Sequence, residues 1–444
     1  VFGHYGNQNL GDESIIEASI FQVRRRLPNA EVCCISLRPK DSARRHEVES
    51  YGVRYAADGY GPISSAQAPP TDSMPWNVHA KELAAGSNPD EDVSVGEVTS
   101  LKERSKRLPI IGFGVKALIA IIHKLQAFGE EVRFLFSTYR YLKKFDLIVV
   151  SGSNQFLDNF GGTWEFPYTL LKWSILSRLT GTKLAYASVG AGPLDKKLSK
   201  LLVRLALRLA DYISYRDTDS KELVEAGSEL GGHVYPDLAH GLDYLKKQSN
   251  SKGKPVIGIN PMPVYDPRYW CEADSSRYQD YVAKLAGLTE KLVENGYPVY
   301  LFGTMWRDAS VIDDVREAMS LDSLKKIDEM GFKWRCEEVG ELMDVIQQAD
   351  IIIPTRFHGT VLAFHAERAV LGICYYRKTE YIMNERGQHD YHEALDTCTV
   401  DSLWEKIIKL EDNLPAEVEK IKAKNSVYQK QIKEQWDRII SLIQ

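Results

Sequence analysis

Residues 349–366 read ADIIIPTRFHGTVLAFHA, an apolar run that stops at Pro354 and resumes as a helix-like stretch from Val361. Ala349–Ile353 has the composition of a strand buried on both faces, and an arginine and a histidine follow it two places apart. In extended backbone, residues i and i+2 point to one side, so Arg356 and His358 reach into the same cleft. A buried strand running into a helix start, with basic side chains at the join, is a natural site for an anion. The competing reading is a helix start with incidental polar residues.

The same alternation extends in both directions. Upstream, strands are expected at 31–36, 146–151, 183–188 and 212–215, with helices over 12–27, 165–180 and 197–211. After the polar stretch KKQSNS, PVIGIN and YPVYLFGT read as strands separated by a helix at 278–295, and AVLGICYY follows the PTRFHGT segment as another strand. Short apolar strands alternating with helices imply an α/β fold with parallel sheets covered on both faces. At 444 residues the chain is too long for one ordinary core. The expected organisation is a Rossmann-like domain over 1–247, a second over 254–415 and a terminal helix over 416–444, with the ligand cleft between the two sheets.

Residues 61–100, rich in Gly, Pro, Ser and Asp, break the rhythm and read as a mobile insertion. The basic run KERSKR and the apolar stretch 108–125 come next. That stretch is shorter than the roughly 20 residues a spanning helix needs. Lys116 also interrupts it, so the choice is between a helix lying in a membrane interface and one packed on the protein's own sheet. Lys196, Lys200, Arg204 and Arg208 form a basic stripe at i, i+4 spacing, equally consistent with an ordinary solvated face.

The formal net charge of −5 argues against a nucleic-acid partner. Six cysteines are scattered without CxxC pairs, which suits a reducing compartment, hence a cytoplasmic location, and neither a zinc site nor a disulfide scaffold. The chain starts at Val1 in what reads as the tail of a strand, so upstream residues are expected, and no signal peptide is read.

Four further segments can do chemistry. In FGHYGNQNLGDESII, Gly3, Gly6 and Gly11 permit a tight strand-to-helix turn and Asp12 starts the helix, though the spacing is not that of a dinucleotide fingerprint. SGSNQFLDNFGG at 151–162 is a loop at a strand end with Asp158 and Asn159 as its reactive side chains; the alternative for Asp158 is a helix cap. Arg216 follows the strand at 212–215, and Lys378 follows the strand after the PTRFHGT helix. Cations clustered near a helix N-terminus suit a small, multiply charged anion. No Walker A, HExxH or GxSxG motif is present, and no metal is called for.

These segments, in this order, resemble the polysaccharide pyruvyl transferases: YGNxNLGDE, a glycine loop with aspartate after a strand, SxRDxxS, and RxHG with a downstream tyrosine–lysine segment. The loop at 151–158 reads SGSNQFLD where the family has a run of glycines, so acceptor contacts are expected to differ there. The resemblance implies a GT-B-like fold of two Rossmann-type domains with parallel sheets facing a central cleft. It further implies transfer of a pyruvyl group from phosphoenolpyruvate, with no other cofactor, to a sugar diol of a cell-surface polysaccharide or its lipid-linked precursor, giving a cyclic ketal. In that reading His358 is the acid, Asp158 the base, and Arg356 the carboxylate clamp. Arg216 and Lys378 stabilise the departing phosphate, and Gly6, Asn9, Gly11, Asp12, Asn159 and Gly359 line the substrates. A GT-B glycosyltransferase with a nucleotide-sugar donor is the alternative, with Glu380 as ribose ligand. A third reading is a non-catalytic glycan-binding or scaffold protein, and a membrane-surface location is compatible with all three.

Overall fold

A computed structural model describes residues 1–3, 5–6, 8–54, 61–64, 109–228, 230–246, 253–270, 272–332 and 335–444, with the backbone alone over 109–125. Strands β1 (Cys33–Ser36) and β2 (Glu49–Gly52) pair in parallel, as do β3 (Leu147–Ser151), β4 (Lys183–Val189), β5 (Tyr212–Tyr215) and β6 (His233–Val234) in that order. Phe2 joins the two groups, bridging Ile35 on one side and Val150 on the other. The result is one twisted parallel sheet in which the N-terminal segment is the centre and its neighbours run off in opposite directions. Burial follows this geometry: β1 and β4 are covered on both faces, as their apolar, alternation-free sequences require.

The second sheet is also parallel, in the order β8 (Val299–Leu301), β7 (Ile257–Asn260), β9 (Ile351–Pro354), β10 (Ala369–Val370). AVLGICYY, expected to be one strand, is two: the chain leaves β9 after β10, and β11 (Gly372–Cys374) pairs with β12 (His392–Ala394) instead. The two sheets make the protein an α/β, GT-B-like molecule with its sheets set about a common seam.

The last helix, Leu414–Ile440, touches both halves. Gln435 donates to Ser188 and Ser214 of the first sheet at 2.8 Å, while Asn425 donates to the Phe364 carbonyl at 2.7 Å. Between these, Gln429 donates to the His240 carbonyl at 2.6 Å. The stretch read as a candidate interfacial helix belongs to the helix Pro109–Leu142; the side chains of its first half, and most of the insertion at 61–100, lie outside the described residues. Among the described residues no helix is long and apolar enough to cross a membrane.

Candidate active site

The chain leaving the central segment of the first sheet emerges where the strand order reverses, the crevice at which open parallel sheets present their ligands. There Gly6 turns with φ +88°, and an added Cβ would stand 2.8 Å from that of Arg38. The Gly6 N–H donates to Glu13 Oε1 at 2.9 Å, and the other Glu13 oxygen faces His46 Nε2 at 2.9 Å, both side chains buried. Asn9 caps the helix Leu10–Arg26: its Oδ1 accepts from the Gly11 N–H, and its Nδ2 donates to Asp12 at 2.7 Å. The other Asp12 oxygen accepts from Ser153 Oγ at 2.8 Å. Burial pushes the Asp12 pKa up, opposed by His358 and the Ser153 hydroxyl.

Arg356 lies just beyond β9 and precedes the helix Phe357–His365. Its Nε donates to both oxygens of the fully buried Asp308, at 2.7 and 2.9 Å, and its Nη2 donates to the same carboxylate. Burial would lower the Arg356 pKa, but the Asp308 charge outweighs it and the net shift is upward. The expected free bidentate clamp is therefore corrected: two of the three guanidinium nitrogens are held by Asp308, leaving Nη1.

His358 follows on the first helical turn. Its Nε2 is buried without a hydrogen bond, 3.8 Å from Asp237 Oδ2. Burial pushes its pKa below the ordinary histidine value of 6.5; Asp237 and Asp12 oppose this, while Arg216 and Arg356 reinforce it. The imidazole is thus neutral near pH 7 in the unliganded protein, and acting as an acid requires a bound anion to restore its proton. Two glycines read as ligand residues have packing reasons as well. A Cβ on Gly11 would stand 2.4 Å from the His358 Cβ, and one on Gly359 would stand 2.2 Å from Asn260 Oδ1. The N-terminal glycine loop and the RxHG segment are parts of one packed joint.

Arg216, at the end of β5, completes the arrangement. Its Nη1 is 3.4 Å from Asp237 Oδ2, its Nε is 3.5 Å from Asp217, and its guanidinium carbon lies 4.3 Å from the Phe357 ring centroid. Asp237 spends its other oxygen on the Ala239 N–H at 3.0 Å, so Oδ2 faces both Arg216 and His358. From the opposite wall, Lys378 Nζ donates to Asn154 Oδ1 at 2.5 Å. Burial and the neighbouring Arg216 bring the Lys378 pKa down to about 7, against the pull of Asp217 and Asp219. Gly190 makes room for this contact, since a Cβ there would meet Arg216 Nη2 at 2.7 Å and Asn154 Oδ1 at 3.1 Å.

Asp158 is corrected from base to cap. Its oxygens accept from the backbone N–H groups of Asp195 at 3.2 Å and Lys196 at 2.9 Å, at the start of the helix Lys197–Arg208. Although burial works to raise its pKa, those N–H groups outweigh burial and lower it. Asn159 is exposed beyond the crevice, and Glu380 is exposed on the helix Arg377–Glu385. Asp237, Asn154 and Asp308 were not picked out in the sequence. Asn154 lay inside a recognised loop, but Asp237 (in YPDLAH) and Asp308 (in MWRDAS) have only ordinary capping contexts. Among the described residues no group of three or more His, Cys, Asp or Glu could hold a metal.

Together these residues define a two-sheet α/β protein with cations gathered at the seam, Arg216 beside a histidine set between two carboxylates and Lys378 beside Arg216. The chain belongs to the polysaccharide pyruvyl transferase family, whose sequence model matches residues 9–375. It is therefore a transferase. No curated protein matches it. Among solved structures it is similar to HepE of Anabaena in complex with UDP-glucose, at 13% identity over 69% of this chain and 82% of that one, TM-score 0.41. The S. aureus MnaA–UDP co-structure aligns at 9% identity over 95% of this chain and 90% of that one, TM-score 0.45. SsfS6, a glycosyltransferase of Streptomyces sp. SF2575, aligns at 10% identity over 100% and 98%, TM-score 0.43.

Proposed function

We propose that the protein transfers a pyruvyl group from phosphoenolpyruvate to a sugar diol, forming a ketal and releasing phosphate. The observation that carries this reading is a buried imidazole with an unpartnered Nε2 beside Arg216, within one cleft with Lys378. Phosphoenolpyruvate brings a phosphate and a carboxylate, and charge-assisted bonds from Arg216, Lys378 and Arg356 Nη1 would hold them. The donor's negative charge would raise the His358 pKa, so that the imidazole takes up a proton and delivers it to C3. Attack of one hydroxyl on C2 gives a tetrahedral phosphate ester, and the second hydroxyl displaces inorganic phosphate. Two hydroxyl protons are released; one balances the proton taken up at C3 and the other leaves on phosphate. Asp12, with its burial-raised pKa and its place against His358, is the proton acceptor in this scheme. Phosphate release from phosphoenolpyruvate in the presence of a diol-bearing sugar tests it. His358→Ala should abolish release while donor binding survives, and loss of binding in a folded variant would contradict the acid role.

A membrane-surface, cytoplasmic setting is part of the same proposal. The helices Pro109–Leu142, Phe166–Thr180 and Lys197–Arg208 pack side by side and expose Phe128, Phe136, Leu179, Leu198 and Leu201. Exposed Lys196, Lys197 and Arg208 flank the last of these helices. Arg204 is turned inward, its Nε donating to the Val224 carbonyl at 2.8 Å. Apolar side chains ringed by lysine and arginine suit an anionic lipid interface. Co-sedimentation with anionic vesicles should be reduced in a Phe128→Ser, Leu201→Ser double variant; unchanged co-sedimentation would remove the proposal.

A further inference from the structure

At the far end of the helix Leu10–Arg26, Gln22, Arg25 and Arg26 face Lys430, Ile432 and Lys433 of the last helix across a cavity of about 380 Å³. That volume falls within the roughly 300–1,000 Å³ of small-molecule sites. The walls are fixed, because Arg26 joins the two helices. Its Nε donates to Asp437 Oδ1 at 2.7 Å, its Nη2 to the Lys433 carbonyl at 3.0 Å and its Nη1 to Gln22 Oε1 at 2.7 Å. The floor is fixed as well: Gln22 donates to the Gly241 carbonyl at 2.9 Å and Gln429 to the His240 carbonyl at 2.6 Å. Ile432 is buried against Gly241, where an added Cβ would stand 3.2 Å from its Cγ2.

Four cations and one carboxylate line this cavity, and Arg26 already takes up the carboxylate of Asp437. Among the described residues the side chains of Arg25, Lys430 and Lys433 make no hydrogen bond or ion pair. The sequence offers the two lysines partners at i+4, Glu434 and Asp437. Both carboxylates are turned elsewhere: Glu434 accepts from Tyr235 and from Arg438, each at 2.9 Å, and Asp437 accepts from Arg26. Every other basic residue of this helix has a carboxylate. Lys420 pairs with Glu417 at 2.7 Å, Lys422 with Glu419 at 2.7 Å, Lys424 with Glu385 at 3.7 Å and Arg438 with Glu434 at 2.9 Å. Within the helix, unpaired positive charge is therefore confined to the cavity. Lys430 and Lys433 stand one turn apart on one wall and Arg25 on the other, and packed helix axes lie about 8–10 Å apart. An anion that meets both walls has to present charge at more than one place.

The cavity shares no lining residue with the crevice. Gly11 and Asp12 mark the crevice end of the helix Leu10–Arg26, and Arg25 lies roughly 21 Å further along it at 1.5 Å per residue. Between the two places stands the 3-10 turn Leu238–Gly241. Its cap Asp237 faces His358 at 3.8 Å, and its last two carbonyls accept from Gln429 and Gln22 on the cavity side. We propose that the cavity between the helices Leu10–Arg26 and Leu414–Ile440 is a second binding site of the protein, for a soluble anion carrying two or three linked phosphates. Lysines and an arginine on facing walls meet such a chain with charge-assisted hydrogen bonds at several oxygens, while Arg26 holds the walls apart. The site does not depend on the donor reading given above.

Calorimetric titration of the full chain with inorganic tripolyphosphate tests this. The wild type should bind it, and the double variant Lys430→Gln, Lys433→Gln should bind it about tenfold or more weakly. The double variant Lys420→Gln, Lys422→Gln removes the same charge from the same helix outside the cavity, and should stay within about twofold of the wild type. Arg216→Ala, in the crevice, should leave this binding in place. The cavity lysines have no side-chain bonds to lose, so their double variant should melt with the wild type when unliganded. Absence of binding, equal weakening by the two lysine pairs, or loss in Arg216→Ala with indifference to Lys430 and Lys433 would each overturn the site. Titration with ATP separates the sources of linked phosphate. Tighter binding than tripolyphosphate, lost in the cavity variant, assigns the site to a nucleotide, and equal or weaker binding assigns it to a bare phosphate chain.

Discussion

Lys378 titrates within the working pH range, so donor binding should depend on pH with a slope that can be worked out. Burial and Arg216 bring its pKa to about 7, whereas an unburied lysine sits at 10.5. If only the ammonium form holds the donor, the apparent Kd rises as the inverse of the ammonium fraction. That fraction falls about fivefold between pH 7 and 8 and about ninefold more between pH 8 and 9, so affinity for phosphoenolpyruvate should drop roughly 50-fold across those two units. His358, whose proton the donor restores, adds a slope common to the wild type and to any Lys378 variant. Titration calorimetry of the wild type and Lys378→Arg, in which the charge is permanent, is the assay. The arginine variant should lack that roughly 50-fold component from pH 7 to 9. A flat wild type, or an equal slope in the variant, would refute the assignment. The stability linkage has a defined sign too. The unfolded chain binds a proton at Lys378 between about pH 7 and 10.5 that the folded protein does not, so this residue's contribution to stability rises with pH through that window. Lys378→Met should therefore gain most over the wild type below pH 7, by up to a few kcal/mol, and lose the advantage toward pH 10. A gap that does not close with pH would contradict the depressed pKa.

Asp308→Ala leaves Arg356 buried and unpaired, and removes the acceptor of two backbone N–H groups; a loss of about 3–5 kcal/mol in denaturant unfolding is expected. Gly11→Ala should sharply lower turnover with secondary structure retained, because its Cβ would fall 2.4 Å from that of His358; wild-type turnover would show that the joint yields easily. Asp158→Ala should cost about 1 kcal/mol, as capping residues do, and leave the pH–rate profile in place. Disappearance of the acidic limb from that profile would return Asp158 to the role of base.

How much of this the sequence disclosed depends on which signal each residue carries. The buried strands announced themselves by apolar composition, and β5 and β9 lie where DYISY and ADIIIPT placed them. Helices such as Asp308–Glu317 and Val400–Asp412 were not distinguished, because their apolar faces are set by partners distant in sequence. Arg216, Arg356, His358 and Lys378 were legible from their positions at strand ends, and the structure brings their segments to one seam. Their partners were not: Asp237 lies 121 residues before His358, and Asp308 lies 48 residues before Arg356. No local pattern distinguishes a carboxylate that neutralises a distant arginine from one that caps a turn. Asp158 illustrates the reverse error, since a loop aspartate at a strand end has the same sequence whether it faces the cleft or the next helix.

The most direct test is the thermal stability of the purified protein with phosphoenolpyruvate, and separately with UDP- and GDP-sugars, in the wild type and in Arg216→Ala. A ligand at 100 times its dissociation constant adds about 2.7 kcal/mol, which such a melt resolves. The account predicts stabilisation by phosphoenolpyruvate that is lost in the arginine variant. Stabilisation by a nucleotide sugar alone, with phosphoenolpyruvate inert, would contradict it in favour of glycosyl transfer.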